Sequence, residues 1–210
     1  ETDMTNTERW GLFEVELTGP DEGNPFLDVV VSATFSLGHR CIEVEGFYDG
    51  GGRYKIRFMP DTVGEWTYVT KSNRSDLDGE SASLNCTEPG AGNHGPVRVD
   101  QATRFAYEDG TSYSPVGTTC YVWNHQGDGM EKQTLETLRS APFNKMRMCV
   151  FPKNYDFNKN EPEHYPFEGA PLDQWDYERF NPEFFRHLEA QIVGLMEQGI
   201  EADLILFHPY

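Results

Sequence analysis

The chain has 210 residues, with 35 Asp or Glu against 17 Lys or Arg, and a formal net charge of -18. Because no run of Lys and Arg interrupts this acidity, it would repel polyanions, and we expect neither nucleic acid nor an anionic membrane as partner. The longest apolar stretches fall far below the roughly 20 residues that cross a bilayer, so we expect no membrane span.

The first half alternates apolar and polar residues between clusters of Gly, Pro and Asp, a pattern typical of short antiparallel strands. Ile42 and Val44, for example, alternate with glutamates, as in a sheet that is half packed and half exposed to water. Residues 1–95 are therefore predicted to form an immunoglobulin-like β-sandwich. The predicted strands are Leu12–Leu17, Leu27–Phe35, Arg40–Tyr48, Arg53–Met59, Trp66–Lys71 and Ser81–Cys86.

A corner follows the fourth predicted strand, where Pro60 ends the strand, Gly64 permits a turn and Trp66 brings a large ring into the next strand. This corner resembles the immunoglobulin-like modules in front of bacterial glycosidase barrels. We interpret Trp66 as a structural residue in preference to a ligand-binding one.

A Gly- and Pro-rich segment, residues 88–96, marks the predicted boundary with a second domain over residues 96–210. After a hairpin, the pattern alternates strands with helices, which favours a parallel sheet. We therefore predict the first βαβαβ of a TIM (β/α)8 barrel, truncated before the barrel closes. The predicted elements are strands Tyr113–Thr119, Lys145–Phe151 and Ala202–Phe207, a helix over Met130–Ser140 and a second helix that Asn181 caps.

The segments after these strands are rich in Trp, Tyr, His and Asn, residue types that stack on sugars and hydrogen-bond hydroxyl groups. Because the carboxyl ends of barrel strands share one rim, this rim is the predicted binding site. Trp123 and His125 are predicted sugar contacts on it. Lys153, Tyr155, Trp175 and Tyr177 lie in a long loop, and we interpret them as loop packing.

Several motifs together resemble the apiosidase-like glycoside hydrolases, whose members have carried a collagenase label, and more loosely clan A of the retaining glycosidases. The resemblance rests on Gly117-Thr118-Thr119 before Trp123, on residues 143–147 and on residues 204–210. It implies that Asn144 and Arg147 match an Asn and Arg of the second strand, with the Arg steadying the nucleophilic carboxylate. It also implies that His208 contacts the sugar, and Tyr210 is a further predicted substrate-binding residue; a structural ion pair for Arg147 and simple packing for His208 remain alternatives. No residue supports proteolysis.

The resemblance further implies a retaining mechanism with two carboxylates, which we expect downstream of this chain, so that the fragment alone is inactive. The expected partners are a carbohydrate substrate, the remainder of the polypeptide that completes the barrel and, as an option, a second copy; no cofactor or metal is expected. A non-catalytic carbohydrate-binding or adhesion module is the alternative. The acids near the rim, interpreted as solvated, are Glu131, Glu161, Glu163, Asp173 and Asp176.

Four cysteines lie far apart without a C-x-x-C pair, and we interpret them as free thiols buried as small apolar groups. The sequence opens without a basic and apolar leader, which favours the cytoplasm. A secreted or periplasmic location is expected instead if the N-terminus has been trimmed.

Overall fold

A computed structural model describes residues 5–170 and 174–208. The chain forms two compact units, the first ending at Ser114 and the second beginning at Pro115. No helix in the described ranges is long and apolar enough to cross a membrane.

The first unit is built on one seven-stranded sheet with the order β1-β7-β6-β3-β4-β5-β2. All neighbours are antiparallel except β1 and β7, which run parallel. A short helix, α1 (Pro25–Asp28), and a 3-10 turn at Ser75–Leu77 interrupt the strands. The strands are β1 (Thr5–Glu8), β2 (Phe13–Thr18), β3 (Val31–Leu37), β4 (Arg40–Tyr48), β5 (Arg53–Phe58), β6 (Gly64–Ser72) and β7 (Ser81–Thr87).

The long strand β4 lets this sheet fold back on itself. Its first part pairs with β3 up to Glu45, whereas its last part pairs with β5 from Gly46 onwards. A Cβ at Gly46 would lie 2.8 Å from side-chain atoms of both Ile56 and Val31, so only glycine fits where the two parts meet. As a result, Phe13 of β2 packs edge-on against Phe35 of β3 with 6.2 Å between ring centroids, although the two strands are not neighbours in the sheet.

Trp66 lies at the centre of this core and is fully buried, as the sequence predicts for a structural residue. Its ring meets that of Phe58 at 5.0 Å, and its Nε1 donates a hydrogen bond of 2.8 Å to the carbonyl oxygen of Thr62. The predicted hairpin after the seven-stranded sheet is also confirmed. It forms a small antiparallel sheet of β8 (Val97–Asp100), β9 (Arg104–Tyr107) and β10 (Ser112–Tyr113).

The second unit contains a parallel three-stranded sheet in the order β11-β12-β15 and an antiparallel pair, β13 and β14. Two helices and a 3-10 turn at Trp123–His125 complete it. In chain order the elements are β11 (Gly117–Thr119), α2 (Asp128–Arg139), β12 (Lys145–Cys149), β13 (Phe167–Glu168), β14 (Asp176–Phe180), α3 (Pro182–Met196) and β15 (Glu201–Ile205).

The predicted fold class, a sandwich followed by the βαβαβ start of a TIM barrel, is wrong. The first unit is a single, nearly closed sheet that resembles a sandwich only because it folds over its own core. In the second unit, β11 has three residues, the antiparallel pair β13–β14 precedes α3, and within the described ranges neither β11 nor β15 has a further strand beside it. The observed architecture therefore consists mostly of strands, which form four separate sheets.

The two helices of the second unit pack on the parallel sheet through Leu138, Phe184, Leu188 and Leu195, which are buried with Met146 and Met148. The predicted cap of α3 is confirmed, since the Asn181 side chain accepts a hydrogen bond of 3.1 Å from the Glu183 backbone. The helical spacing of Met130 and Met196 predicts inward positions, but both face solvent, with 54% and 66% of their surface exposed.

Candidate functional site

An open groove of about 530 Å³ lies in the second unit, beside the carboxyl end of β11. We call it the aromatic groove. Phe157 projects from its loop with 91% of its surface exposed, whereas Trp123 is buried behind the wall. The rings and amides that line it are Tyr121, Trp123, Gln126, Tyr155, Phe157 and Asn158.

The polar wall of the groove is a connected set of side-chain amides. Gln126 Nε2 donates to the carbonyl oxygen of Val122 at 3.0 Å and to Asn158 Oδ1 at 2.9 Å. Asn160 Nδ2 in turn donates to Gln126 Oε1 at 2.6 Å. Since each amide is oriented by its neighbours, the groove has an ordered polar wall next to the exposed ring of Phe157.

The loop that carries the rings is held by its own backbone. Tyr155 and Asn158 exchange two backbone hydrogen bonds of 3.0 and 2.9 Å, which close a tight turn with Phe157 at its tip. Asn158 Nδ2 also donates to the carbonyl oxygen of Lys153 at 2.9 Å. Tyr155, which we interpret as loop packing, therefore also lines the groove, whereas Lys153 is buried. The signal was the alternation of Tyr155 and Phe157 with polar turn residues.

Among the predicted sugar contacts that the structure describes, Trp123 alone lines the aromatic groove. Its Nε1 donates to the Met148 sulfur at 3.4 Å, so most of the ring belongs to the core. His125 is buried, with Nε2 3.1 Å from the carbonyl oxygen of Val150 and its ring stacked on Phe184. It faces a small separate cavity that Asn124, Glu131 and His187 also line.

The other predicted contacts lie apart from the groove or outside the described residues. Asn144 precedes β12, at the opposite end of the parallel sheet, and its Oδ1 accepts a hydrogen bond of 2.7 Å from the Val116 backbone. Arg147 lies in the middle of β12 and pairs with Asp203 of β15 at 3.1 Å. His208 is partly buried, and Tyr210 lies outside the described residues.

Asp203 joins two basic side chains, because Lys145 Nζ also reaches its Oδ2 at 3.3 Å. Burial acts to raise the pKa of Asp203, but the hydrogen bonds from Arg147 and Lys145 outweigh it and hold the pKa below its usual value. The described contacts of Arg147 are therefore those of an ion pair between two strands.

Glu131 is buried, so its interpretation as a solvated acid is wrong. Its carboxylate accepts hydrogen bonds from the Gly127 backbone at 3.2 Å and from Gln191 Nε2 at 2.9 Å, and His187 Nε2 lies 3.2 Å away. These contacts tie α2 to α3. Glu161, Glu163 and Asp176 are exposed as predicted, and Asp173 lies outside the described residues.

The interpretation of the four cysteines as buried free thiols holds for two of them. All four are free, and Cys86 and Cys149 are buried. Cys120 is partly buried, and Cys41 is exposed. Within residues 5–170 and 174–208, no group of three or more His, Cys, Asp and Glu side chains is arranged to hold a metal ion.

His125 should make stability depend on pH. Burial lowers its pKa from 6.5 to about 4, although the bond to the Val150 carbonyl opposes this. The unfolded chain therefore binds the proton more tightly, and the stabilisation present above pH ~6.5 is lost as pH falls towards 4, by on the order of 3 kcal/mol. In urea unfolding, His125→Gln should flatten this pH dependence, whereas His39→Gln, at an exposed histidine, should leave it unchanged. Equal slopes for His125→Gln and the wild type would contradict the assignment.

Comparison with known families gives one match, over residues 6–73, to a domain of unknown function, DUF5060. This segment lies within the seven-stranded sheet and covers less than half of the chain. No curated protein matches the chain.

Among solved structures, the chain is similar to a protein from Bacteroides vulgatus ATCC 8482 that is described as a "putative glycoside hydrolase". The identity is 47% and the TM-score 0.94, over 99% of this chain and 42% of that protein. The chain thus spans less than half the length of this relative. The likeness supports a relationship to glycoside hydrolases but not the finer apiosidase-like or collagenase resemblance.

A family 39 glycoside hydrolase from Bacteroides cellulosilyticus WH2 also matches, at 14% identity and a TM-score of 0.26, over 97% of this chain and 32% of that protein. A similarity at this level does not establish a shared fold. The relationship to glycoside hydrolases therefore depends on the Bacteroides vulgatus protein.

Proposed function

We propose that this chain is part of a glycoside hydrolase and that its aromatic groove holds a sugar of the substrate. The observation that carries the proposal is the pairing of aromatic rings, among them the exposed Phe157, with oriented amides in one open groove. Sugars offer both an apolar face and a rim of hydroxyl groups, so such a surface suits them. The 47% identity to the Bacteroides vulgatus protein supports the enzyme class.

The proposed chemistry is hydrolysis with retention, in which one carboxylate acts as acid and base and a second as nucleophile, about 5–5.5 Å apart. Glu131 is a poor candidate for either role, because its oxygens are already engaged by Gly127, His187 and Gln191. We propose that the catalytic pair belongs to the rest of the complete protein and that this chain contributes to substrate binding.

The enzyme class is tested by incubating the complete protein with a panel of aryl glycosides and plant oligosaccharides. Release of reducing sugar from at least one substrate is the expected result. Binding without turnover across the panel would instead support a carbohydrate-binding or adhesion module. If the protein neither binds nor hydrolyses any substrate of the panel, both proposed functions are contradicted.

Phe157→Ala tests the groove within the active enzyme. The ring is 91% exposed, so its removal should leave the unfolding temperature nearly unchanged while it removes a stacking surface. We expect KM for the best substrate to rise about tenfold, the equivalent of ~1.4 kcal/mol, with kcat changed less.

The matched control is Phe105→Ala, at a 46% exposed phenylalanine of β9 in the first unit, which should leave KM unchanged. If Phe157→Ala has the same KM as the wild type, the proposal that the groove binds the substrate is contradicted.

A further inference from the structure

The walls of the aromatic groove are arranged around one buried cation. Lys153 is only 6% exposed, yet its Nζ lies 5.1 Å from the centroid of the Tyr121 ring and 4.9 Å from that of the Tyr155 ring. An ammonium over an aromatic face is attracted by the ring quadrupole, and the attraction grows when water is excluded. Lys153 therefore joins two rings that belong to different segments of the chain.

The segments that carry the two rings are also linked by Gln126, which donates to the carbonyl oxygen of Val122 and to Asn158 Oδ1. Tyr121 follows β11, whereas Tyr155 lies in the loop after β12, and their backbones are held by separate hydrogen bonds. Tyr121 O accepts from Cys149 N at 2.7 Å, and Tyr155 bonds to Asn158. Lys153 Nζ contacts both rings at once, from the buried side of the groove.

The groove itself carries no charge on its described lining. Its side chains are hydroxyl, thiol, thioether, amide, apolar or aromatic groups, and Lys153 lies beneath the two tyrosines. On the loop, Lys159 is more than half exposed, but its Nζ lies 3.7 Å from Asp156, whose side chain is almost fully exposed. An anionic sugar would also meet the exposed Glu161 and Glu163 of this loop, on a chain of net charge -18.

We propose that the aromatic groove selects uncharged saccharides and that Lys153 is a positioning residue, which sets the groove by holding Tyr121 and Tyr155 together. This rests on the proposed function and deepens it, because it names the class of sugar and the residue that shapes its site. The cation does not contact the sugar; it orders the rings that do.

Titration calorimetry on the complete protein tests the selectivity. The neutral probes are cellotetraose, xylotetraose, mannotetraose and laminaritetraose, and the anionic probe is tetragalacturonic acid at low ionic strength. At least one neutral probe should bind about tenfold or more tightly than the anionic one. Tighter binding of tetragalacturonic acid would overturn the selectivity. Failure of every probe to bind would overturn the proposed function instead.

Substitution of Lys153 tests its positioning role with the neutral probe that binds best. Lys153→Met keeps much of the apolar stem but removes the charge, and should weaken binding about tenfold. Lys153→Arg keeps a cation that stacks on aromatic rings and should restore most of the affinity. Lys132→Met, at an exposed lysine of α2, is the matched control and should bind as the wild type does.

The rescue separates positioning from a general packing role, since a packing defect would not be repaired by the larger, planar guanidinium. If Lys153→Met does not fold, Lys153→Gln serves in its place, because it also removes the charge while it leaves both rings, and it should show the same loss. Wild-type affinity in Lys153→Met, or in Lys153→Gln when that variant is used, would overturn the role of Lys153 while leaving the proposed function intact.

Discussion

Replacing Trp66 with alanine is expected to destabilise the first unit by about 3–5 kcal/mol, the usual cost of deleting a large buried aromatic side chain. The indole is fully buried among the core residues of the seven-stranded sheet, and its contact with Phe58 would be lost. The carbonyl oxygen of Thr62 would also lose the indole N–H as its partner. Urea unfolding followed by circular dichroism measures the change.

Glu65→Ala is the matched control for this prediction, because Glu65 precedes Trp66 on β6 and faces solvent. We expect it to change the free energy of unfolding by less than about 0.5 kcal/mol. A loss below ~1 kcal/mol in Trp66→Ala would show that Trp66 does not support the core as described.

Glu131→Ala should cost about 3 kcal/mol in the second unit, since it removes a buried carboxylate that joins two helices. Gln191 of α3 and the Gly127 backbone would lose their acceptor, and His187 would lose the carboxylate beside it. Buried donors left without a partner account for most of the expected loss. Thermal and urea unfolding of both the variant and the wild type measure it.

The same substitution at Glu136 is the control. Glu136 lies on the same helix, α2, but is exposed, so Glu136→Ala should be nearly neutral. If the two variants change the free energy of unfolding equally, the contacts around Glu131 do not contribute to the stability of the second unit.

The positions of many single elements could be predicted from the sequence. Alternation over Arg40–Tyr48 gave the bounds of β4, and Asn181, Pro182 and Glu183 marked the start of α3. The bounds predicted from local patterns were wrong at two strands that lie next to a proline. The predicted strand Tyr113–Thr119 divides into β10 and β11 around Pro115, which has no N–H to donate. The predicted strand at Leu27 begins instead as α1, which starts at Pro25.

Pairing between elements was harder to predict, and the fold class was wrong for this reason. An apolar–polar alternation with a period of two residues identifies a strand but not the strands that pair with it. The change of partner along β4, from β3 to β5 at Gly46, could therefore not be predicted from the alternation. Alternating strands and helices in the second half likewise suggested a barrel, although three short parallel strands are what the described residues form.

For the candidate site, the sequence indicated the types of residue and the part of the chain more closely than the individual residues that line the groove. Aromatic and amide residues after β11 do line a groove, but Tyr155 and Phe157 reach it through a turn that only the folded loop reveals. For Glu131 a signal was present. It shares a helical face with Leu135 and Leu138, which predicts an inward position.

The parallel pairing of β1 with β7 affects how the first unit responds to tension. Thr5 lies opposite Leu84 and Glu8 opposite Thr87, so the chain enters at one end of this ladder and leaves at the other. Pulling on Thr5 and on the chain beyond Thr87 would drive the two strands past each other along their length. All hydrogen bonds of the ladder would then carry load together instead of opening one by one, which makes this edge a mechanical clamp.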